Sequence, residues 1–309
     1  MMDFCEFYFP SADGKTNIHA LEWKPEGEAR AVLQIAHGVA EYALRYDAFA
    51  RFLAEHGIAV LANDHINHGQ SISAGARPVY FDKDKGWSYA VDDMYSLLSL
   101  GKEKYPQVPY FLMGHSMGSF LARTFLIRYP SDVNGAIIMG TGQQASLTVA
   151  GGRMVAWLES RKAGWEDYST LVDKLAFGAY NKRFAPNRTA FDWLSRSEKN
   201  VDAYIADPLC GGRTTLGLFY AMLGGIGFIC KQKNVEKMDK ATPIFFISGE
   251  QDPVGDCGRG VKAAYESFRR AGVVDLTLRL YPGLRHEILN EEEKQTVYGD
   301  ILTWLDNRI

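Results

Sequence analysis

Ser116 stands in Gly114-His115-Ser116-Met117-Gly118, after the apolar run Pro109-Tyr110-Phe111-Leu112-Met113 and before Ser119-Phe120-Leu121-Ala122-Arg123-Thr124-Phe125-Leu126. The order reads as strand, tight turn and helix. So sharp a turn strains its central residue and needs Gly114 and Gly118, where a Cβ would collide with the neighbouring strand or helix. It exposes a hydroxyl at a helix start, where free N–H groups and the macrodipole favour the negative charge that develops on an attacked carbonyl. A Ser hydroxyl is a weak nucleophile until a base removes its proton, so this chemistry demands a His and an acid that orients it. His286, in Tyr281-Pro282-Gly283-Leu284-Arg285-His286-Glu287, follows the alternating segment Asp275 to Leu280, which reads as the last strand. Asp252 lies in Ser248-Gly249-Glu250-Gln251-Asp252-Pro253-Val254, a turn stiffened by Pro253 after the apolar run Pro243 to Ile247. For each of these two residues taken singly, an ordinary loop or turn role is the competing explanation.

An attacked carbonyl also needs donors for its oxygen. The segment Ala31 to Glu41 supplies a strand ending in His37-Gly38-Val39. Gly38 lets the backbone turn inward, so that the N–H of Val39 and that of Met117 converge on one oxygen. His37 is expected to pin this loop by hydrogen bonding, the role of base being filled by His286.

These residues carry a resemblance to a known family. The chain is similar to the monoacylglycerol lipase and lysophospholipase branch of the α/β-hydrolases, through His37 to Glu41 with Arg45-Tyr46, Asp64 to Ser71, Gly114 to Gly118, Ser248 to Gly255 and Tyr281 to Glu291. The chain order Ser116, Asp252, His286 is the order of that fold. The resemblance implies an eight-stranded, mainly parallel sheet with a helical cap, and hydrolysis of lipid carboxylic esters through an acyl-enzyme. It further implies monoacylglycerol or lysophospholipid substrates. Two positions depart from the pattern: Asn67 replaces Gly, and Val39-Ala40 is bulkier than the usual small pair. Asn tolerates left-handed backbone, which would preserve the first loop.

The elements that must position the site are legible as strand-like runs at residues 4–9, 17–23, 30–36, 58–63, 109–113, 135–140, 243–248 and 275–281. Helical patterns at 46–56, 89–104, 258–271 and 291–307 alternate with the later ones, implying a parallel sheet. About 100 residues between Thr141 and Ala241 hold no convincing strand, far more than a crossover needs. The expected organisation is a core of residues 1–142 and 213–309 with a cap of residues 143–212. Within the cap Leu147, Val149, Met154, Val155, Trp157, Leu158, Leu171, Leu175, Phe177 and Tyr180 are either packing between layers or the wall of an acyl tunnel. Arg153, Arg161, Lys162 and Lys174 are a solvated face or a rest for lipid headgroups, so transient membrane contact through the cap is a further expectation.

Other classes fare worse. A net charge of −3 and pI near 6.2 provide no nucleic-acid footprint. Asp64, His65 and His68 are close in sequence, but no second ligand cluster accompanies them, so neither a metal nor a cofactor is expected. Asp92 and Asp93 read as first-turn helix acids. The N-terminus lacks a signal peptide's pattern and the four Cys show no paired spacing, which suggests a cytoplasmic protein. Two enzymatic alternatives stay open. One is a short-chain carboxylesterase; the other resembles the prolyl iminopeptidases, using Glu159, Glu166, Asp173 or Glu198 to bind a substrate amine. Some relatives of the fold only bind ligands, but such proteins usually lack a triad member.

Overall fold

A computed structural model describes residues 4–309. Eight strands form one sheet: β1 (Phe4–Pro10), β2 (Asn17–Trp23), β3 (Ala31–Ala36), β4 (Ile58–Asn63), β5 (Tyr110–His115), β6 (Gly135–Met139), β7 (Ile244–Gly249) and β8 (Leu276–Tyr281). Their spatial order is β1-β2-β4-β3-β5-β6-β7-β8. β2 pairs antiparallel with both β1 and β4, and every other pair is parallel. The central strands, buried on both faces, read as unbroken apolar runs, which is why their positions show so plainly in the sequence; the edge strands β1 and β8 are only partly buried.

The helices are α1 (Asp47–Glu55), α2 (Gly86–Lys104), α3 (Met117–Arg128), α4 (Ser146–Ala163), α5 (Thr170–Ala176), α6 (Glu198–Ala206), α7 (Leu216–Ile229), α8 (Gln232–Val235), α9 (Arg259–Ala271) and α10 (Lys294–Asp306). Side chains alternate across the sheet. Leu33, Ile35, Phe111 and Met113 pack with Phe49 and Leu53 of α1 and with Ile301 and Trp304 of α10. Val32, Ala36, Tyr110 and Leu112 face the opposite way, toward Met94 of α2, Leu121 and Phe125 of α3 and Phe268 of α9. α4, α5 and α6 lie in the long connection between β6 and β7, and α7 follows, its N-cap Thr215 accepting the N–H of Leu218.

Asp92 and Asp93 correct one expectation. α2 begins at Gly86, so both lie beyond its first turn and serve distant partners instead. Asp92 accepts from Arg128 and Tyr129. Asp93 is buried, with Oδ2 accepting from Ser11 Oγ at 2.9 Å and Oδ1 from the Ala12 N–H at 2.7 Å.

Candidate active site

Ser116 sits at the junction of β5 and α3 with φ 53° and ψ −120°. Left-handed φ is costly for a residue with a side chain, and the surroundings enforce it. Ser116 N–H donates to Met139 O at 3.0 Å, while its own carbonyl accepts from Ser119 Oγ at 2.6 Å. Gly114 and Gly118 are required for contact: a Cβ on Gly114 would stand 2.2 Å from Gly118 O, and one on Gly118 2.0 Å from Ala36 O. Met117 is the first residue of α3, so its N–H has no acceptor within the helix.

Asp252 and His286 come from the loops after β7 and β8. These loops meet closely, since a Cβ on Gly249 would lie 2.0 Å from Arg285 O. His286 Nδ1 donates to Asp252 Oδ2 at 2.9 Å. The Asp252 carboxylate is fully buried and also accepts from the Val254 N–H at 2.8 Å and Ser248 Oγ at 3.2 Å. Burial alone would depress the pKa of His286. The charge of Asp252, the hydrogen bond to it and the charges of Glu287 and Glu41 outweigh burial and raise it above 6.5.

The Gly38 loop is fixed from two sides. Gly38 N–H donates to Glu41 Oε1 at 2.6 Å, and a Cβ there would come within 3.1 Å of Ser116 Cβ. Glu41 also accepts from Tyr46 Oη at 2.8 Å and Arg45 at 2.8 Å. Burial would raise its pKa, but the hydrogen bond to His115 and the Arg45 charge hold it well below the ordinary carboxylate value. Ala40, with φ 54°, takes the N–H of Gly211 at 3.0 Å and Tyr204 Oη at 3.2 Å on its carbonyl.

His37 is structural in its contacts. Its Nε2 accepts the His65 N–H at 2.8 Å, which leaves the proton on Nδ1 to be donated to Gly38 O at 2.7 Å. Burial and the neighbouring His68 push its pKa down to about 3, so the ring is neutral. Asp64 is engaged by His19 and by the N–H groups of Ala43 and Gln70. His65 donates to His37 O and His68 to Ile66 O. Among the described residues no group of His, Cys, Asp or Glu is arranged to hold a metal ion. Asn67 adopts φ 57°, the left-handed geometry that asparagine in place of glycine must tolerate here.

Two cavities meet at Ser116. One, of about 480 Å³, is lined by Phe120, Val155, Phe177, Phe219, Met222 and Leu223 among others. The second, of about 500 Å³, is also walled mainly by apolar atoms, with Phe177, Phe191, Trp193 and Leu194 near His286, and carries the polar side chains of Asp173, Lys174 and Arg213 on part of its lining. Val39, Ser116, Phe177 and Trp193 line both.

Of the apolar residues anticipated between layers or along a tunnel, Val149, Val155, Leu175, Phe177 and Tyr180 line the apolar cavity. Leu147, Met154, Trp157, Leu158 and Leu171 do not, and all five are exposed. α4 carries apolar residues on both sides, and only packing against α7 decides which side is inside. The sequence reading missed two features. Arg45 bridges Glu41 and Glu287, at 2.8 Å and 2.6 Å, and Trp193 stacks near His286 with ring centroids 5.2 Å apart. Arg45 was visible as part of a motif, whereas no spacing marks Trp193.

The fold is that of the α/β-hydrolases. The chain belongs to the family described as serine aminopeptidase, S33, whose model matches residues 27–293. It is 28% identical over 284 residues to the monoacylglycerol lipase of Mycolicibacterium smegmatis, covering 92% of this chain and 90% of that one. To the monoglyceride lipase of Rattus norvegicus it is 28% identical over 303 residues, covering 97% and 89%. A highly thermostable carboxyl esterase from Bacillus coagulans, solved in complex with glycerol, superposes with a TM-score of 0.90 at 28% identity, covering 100% of this chain and 99% of that one.

Proposed function

We propose that this protein hydrolyses lipid carboxylic esters through an acyl-enzyme on Ser116, with monoacylglycerols the substrate class that fits best and lysophospholipids the next. The observation that carries the reading is the meeting of two mainly apolar cavities at Ser116, one of them also bearing Asp173, Lys174 and Arg213, beside the His286–Asp252 pair. An ester of a long acid and a polyol has an apolar chain to fill such a space and hydroxyls for the Asp173, Lys174 and Arg213 groups.

Ser116 Oγ attacks the carbonyl carbon while His286 Nε2 takes its proton, and Asp252 holds the ring by Nδ1 and stabilises the imidazolium. The N–H groups of Val39 and Met117 receive the oxyanion. Collapse breaks the bond to the alcohol, which leaves with the proton from His286. Water, activated by the same imidazole, then releases the acid and restores Ser116. The acyl chain occupies the cavity lined by Phe120, Phe219 and Leu223, and the alcohol the one that carries Asp173, Lys174 and Arg213. Neither step uses a cofactor.

The division into a core of residues 1–142 and 213–309 and a cap of residues 143–212 belongs to this reading, supported by cap residues on the walls of both cavities. Contact with a lipid surface is supported by Leu147, 87% exposed, and by Met154, Trp157 and Leu158, also exposed on α4. Arg153 and Arg161 flank them, resting on the rings of Tyr220 and Trp157. No helix among the described residues is long and apolar enough to cross a membrane. A cytoplasmic location is included in the reading, supported by the free thiols of Cys5, Cys210, Cys230 and Cys257.

The aminopeptidase alternative needs a carboxylate free to bind an amine. Of Glu159, Glu166, Asp173 and Glu198, Asp173 lines the second cavity, and Arg213 holds it through two nitrogens at 2.9 Å and 2.8 Å. A rate panel of 1-monoacylglycerols, lysophosphatidylcholine, nitrophenyl esters of graded length and a prolyl arylamide tests the assignment. Monoacylglycerols of medium chain length are expected to lead. A prolyl arylamide ahead of every acylglycerol, or acetate as the best ester, would overturn it.

A further inference from the structure

His286 is held by more than Asp252. Its imidazole lies between the ring of His115, at 4.6 Å between centroids, and the indole of Trp193, at 5.2 Å, each inclined by 38°. Gly140 closes a third side, where a Cβ would stand 3.1 Å from the ring. Trp193 arrives from the long connection between β6 and β7, 93 positions earlier in the chain than His286, by 286 − 193.

The loop bearing Trp193 is stitched to the loop bearing His286 on both flanks. Arg285 Nη1 donates to Asp192 O at 2.5 Å and Ser195 O at 3.1 Å, and the Glu287 N–H donates to Leu194 O at 2.8 Å. The Glu291 carboxylate accepts from the N–H of Arg285 and of Arg196. Trp193 N–H is itself held by Asn181 Oδ1 at 2.9 Å. The residues either side of His286 thus fix the backbone either side of Trp193.

We propose that Trp193 is a positioning residue for His286, its indole holding the imidazole plane and attracting the positive charge that forms on the ring in each half-reaction, with Arg285 keeping the indole in place. The proposal rests on His286 being the base. An aromatic face within about 6 Å of a cation attracts it through the ring quadrupole, most strongly for Trp. His286 is buried and Trp193 lines both cavities beside it, and such an attraction is strongest where the cation is desolvated. The charged groups that face His286 are Asp252 on Nδ1 and the carboxylates of Glu41 and Glu287, both bound by Arg45. None of these bonds involves the indole.

The test uses nitrophenyl butyrate, short enough to depend little on either cavity, and follows kcat, KM and the pH profile of kcat/KM. Trp193→Leu, apolar but without a π face, is expected to lower kcat by about 2- to 30-fold with KM nearly unchanged. Its acid limb should move to lower pH by about half a unit, since the imidazolium has lost a stabilising partner. Trp193→Phe should recover most of both. Arg285→Met should lower kcat in the same direction, and adding it to Trp193→Leu should cost little more. If Trp193→Leu fails to fold, fluorinated tryptophans placed at position 193 weaken the quadrupole without altering shape, and should shift the limb in step with fluorine number. A wild-type kcat and acid limb in Trp193→Leu, or a limb indifferent to fluorination, would overturn the proposal. His286→Ala separates the two levels: an active His286→Ala enzyme removes the base assignment itself, whereas an inactive one beside an unaffected Trp193→Leu removes only the role of Trp193.

Discussion

Gly118 lies directly beneath the carbonyl of Ala36, so close that a Cβ would stand 2.0 Å from Ala36 O and 2.6 Å from His37 O. The first turn of α3 and the end of β3 are therefore in backbone contact, which sets the Ser116 turn beside the Gly38 loop. Both clashing atoms are main-chain oxygens, which cannot swing aside. Gly118→Ala is expected to cost about 3 kcal/mol or more, with loss of activity in whatever fraction folds. A urea midpoint and specific activity near wild type would show that the two elements can separate freely.

Ser116→Ala should abolish both ester turnover and covalent labelling by a fluorophosphonate. His286→Ala should be comparably severe, whereas Asp252→Asn should leave residual activity, because the imidazole still reaches Ser116 in the wrong tautomer. Labelling retained in Ser116→Ala would assign the nucleophile elsewhere. His37→Ala as damaging as His286→Ala, in a folded protein, would reassign the base.

Activity should rise with pH through the titration of His286, because only the neutral imidazole accepts the Ser116 proton. The carboxylates around His286 raise its pKa, so the acid limb of kcat/KM should centre above 6.5. A limb centred well below that value would mean that burial, not Asp252, dominates the ring.

Chain-length preference should respond to the walls of the apolar cavity. Each methylene that enters contributes up to about 0.8 kcal/mol to transition-state binding, so kcat/KM should climb by up to a few-fold per carbon until the cavity is full. Leu223→Trp, which fills a wall of that cavity, should shift the optimum to shorter esters. Trp157→Ala and Leu158→Ala, both on the exposed side of α4, should leave the preference for soluble esters unchanged. A changed optimum in Leu158→Ala with none in Leu223→Trp would relocate the acyl site.

Burial raises the pKa of Asp93 to about 7, remote from the active site. A carboxyl whose folded value is raised gives full stability below its unfolded value near 3.8 and loses it as pH rises through 7. Asn can accept the Ala12 N–H as the carboxylate does but never takes a charge. Asp93→Asn should therefore become progressively more stable relative to wild type between pH 4 and 8, as read from urea midpoints. A constant difference across that range would show that Asp93 titrates normally.

Much of this architecture was legible before any coordinates. The eight strand-like runs coincide with the eight strands to within one or two residues at each end, since a strand buried on both faces is an unbroken apolar run and the half-exposed edge strand β8 alternates. The turn at Ser116 was equally readable, because only glycine fits at positions 114 and 118. The loops after β7 and β8 carried Asp252 and His286 among turn-forming residues, and the structure brings them to 2.9 Å.

Where residues are chosen by partners far away in the chain, local pattern misleads. Asp92 and Asp93 have the composition of a helix start but answer to Arg128, Tyr129, Ser11 and Ala12. α4 is apolar on more than one side, so its sequence could not say that Val155 faces the cavity while Leu158 faces outward. Trp193 has no periodicity at all; its place beside His286 depends on Arg285 and Glu287 gripping the carbonyls around it. The sequence by itself determined the sheet, the turn that exposes Ser116 and the kinds of residue able to activate it, because those rest on sterics and burial within a few neighbouring residues. Only the tertiary structure decided the two cavities, the bridge through Arg45 and the indole against His286, because each is a surface shared by segments whose approach no local pattern encodes.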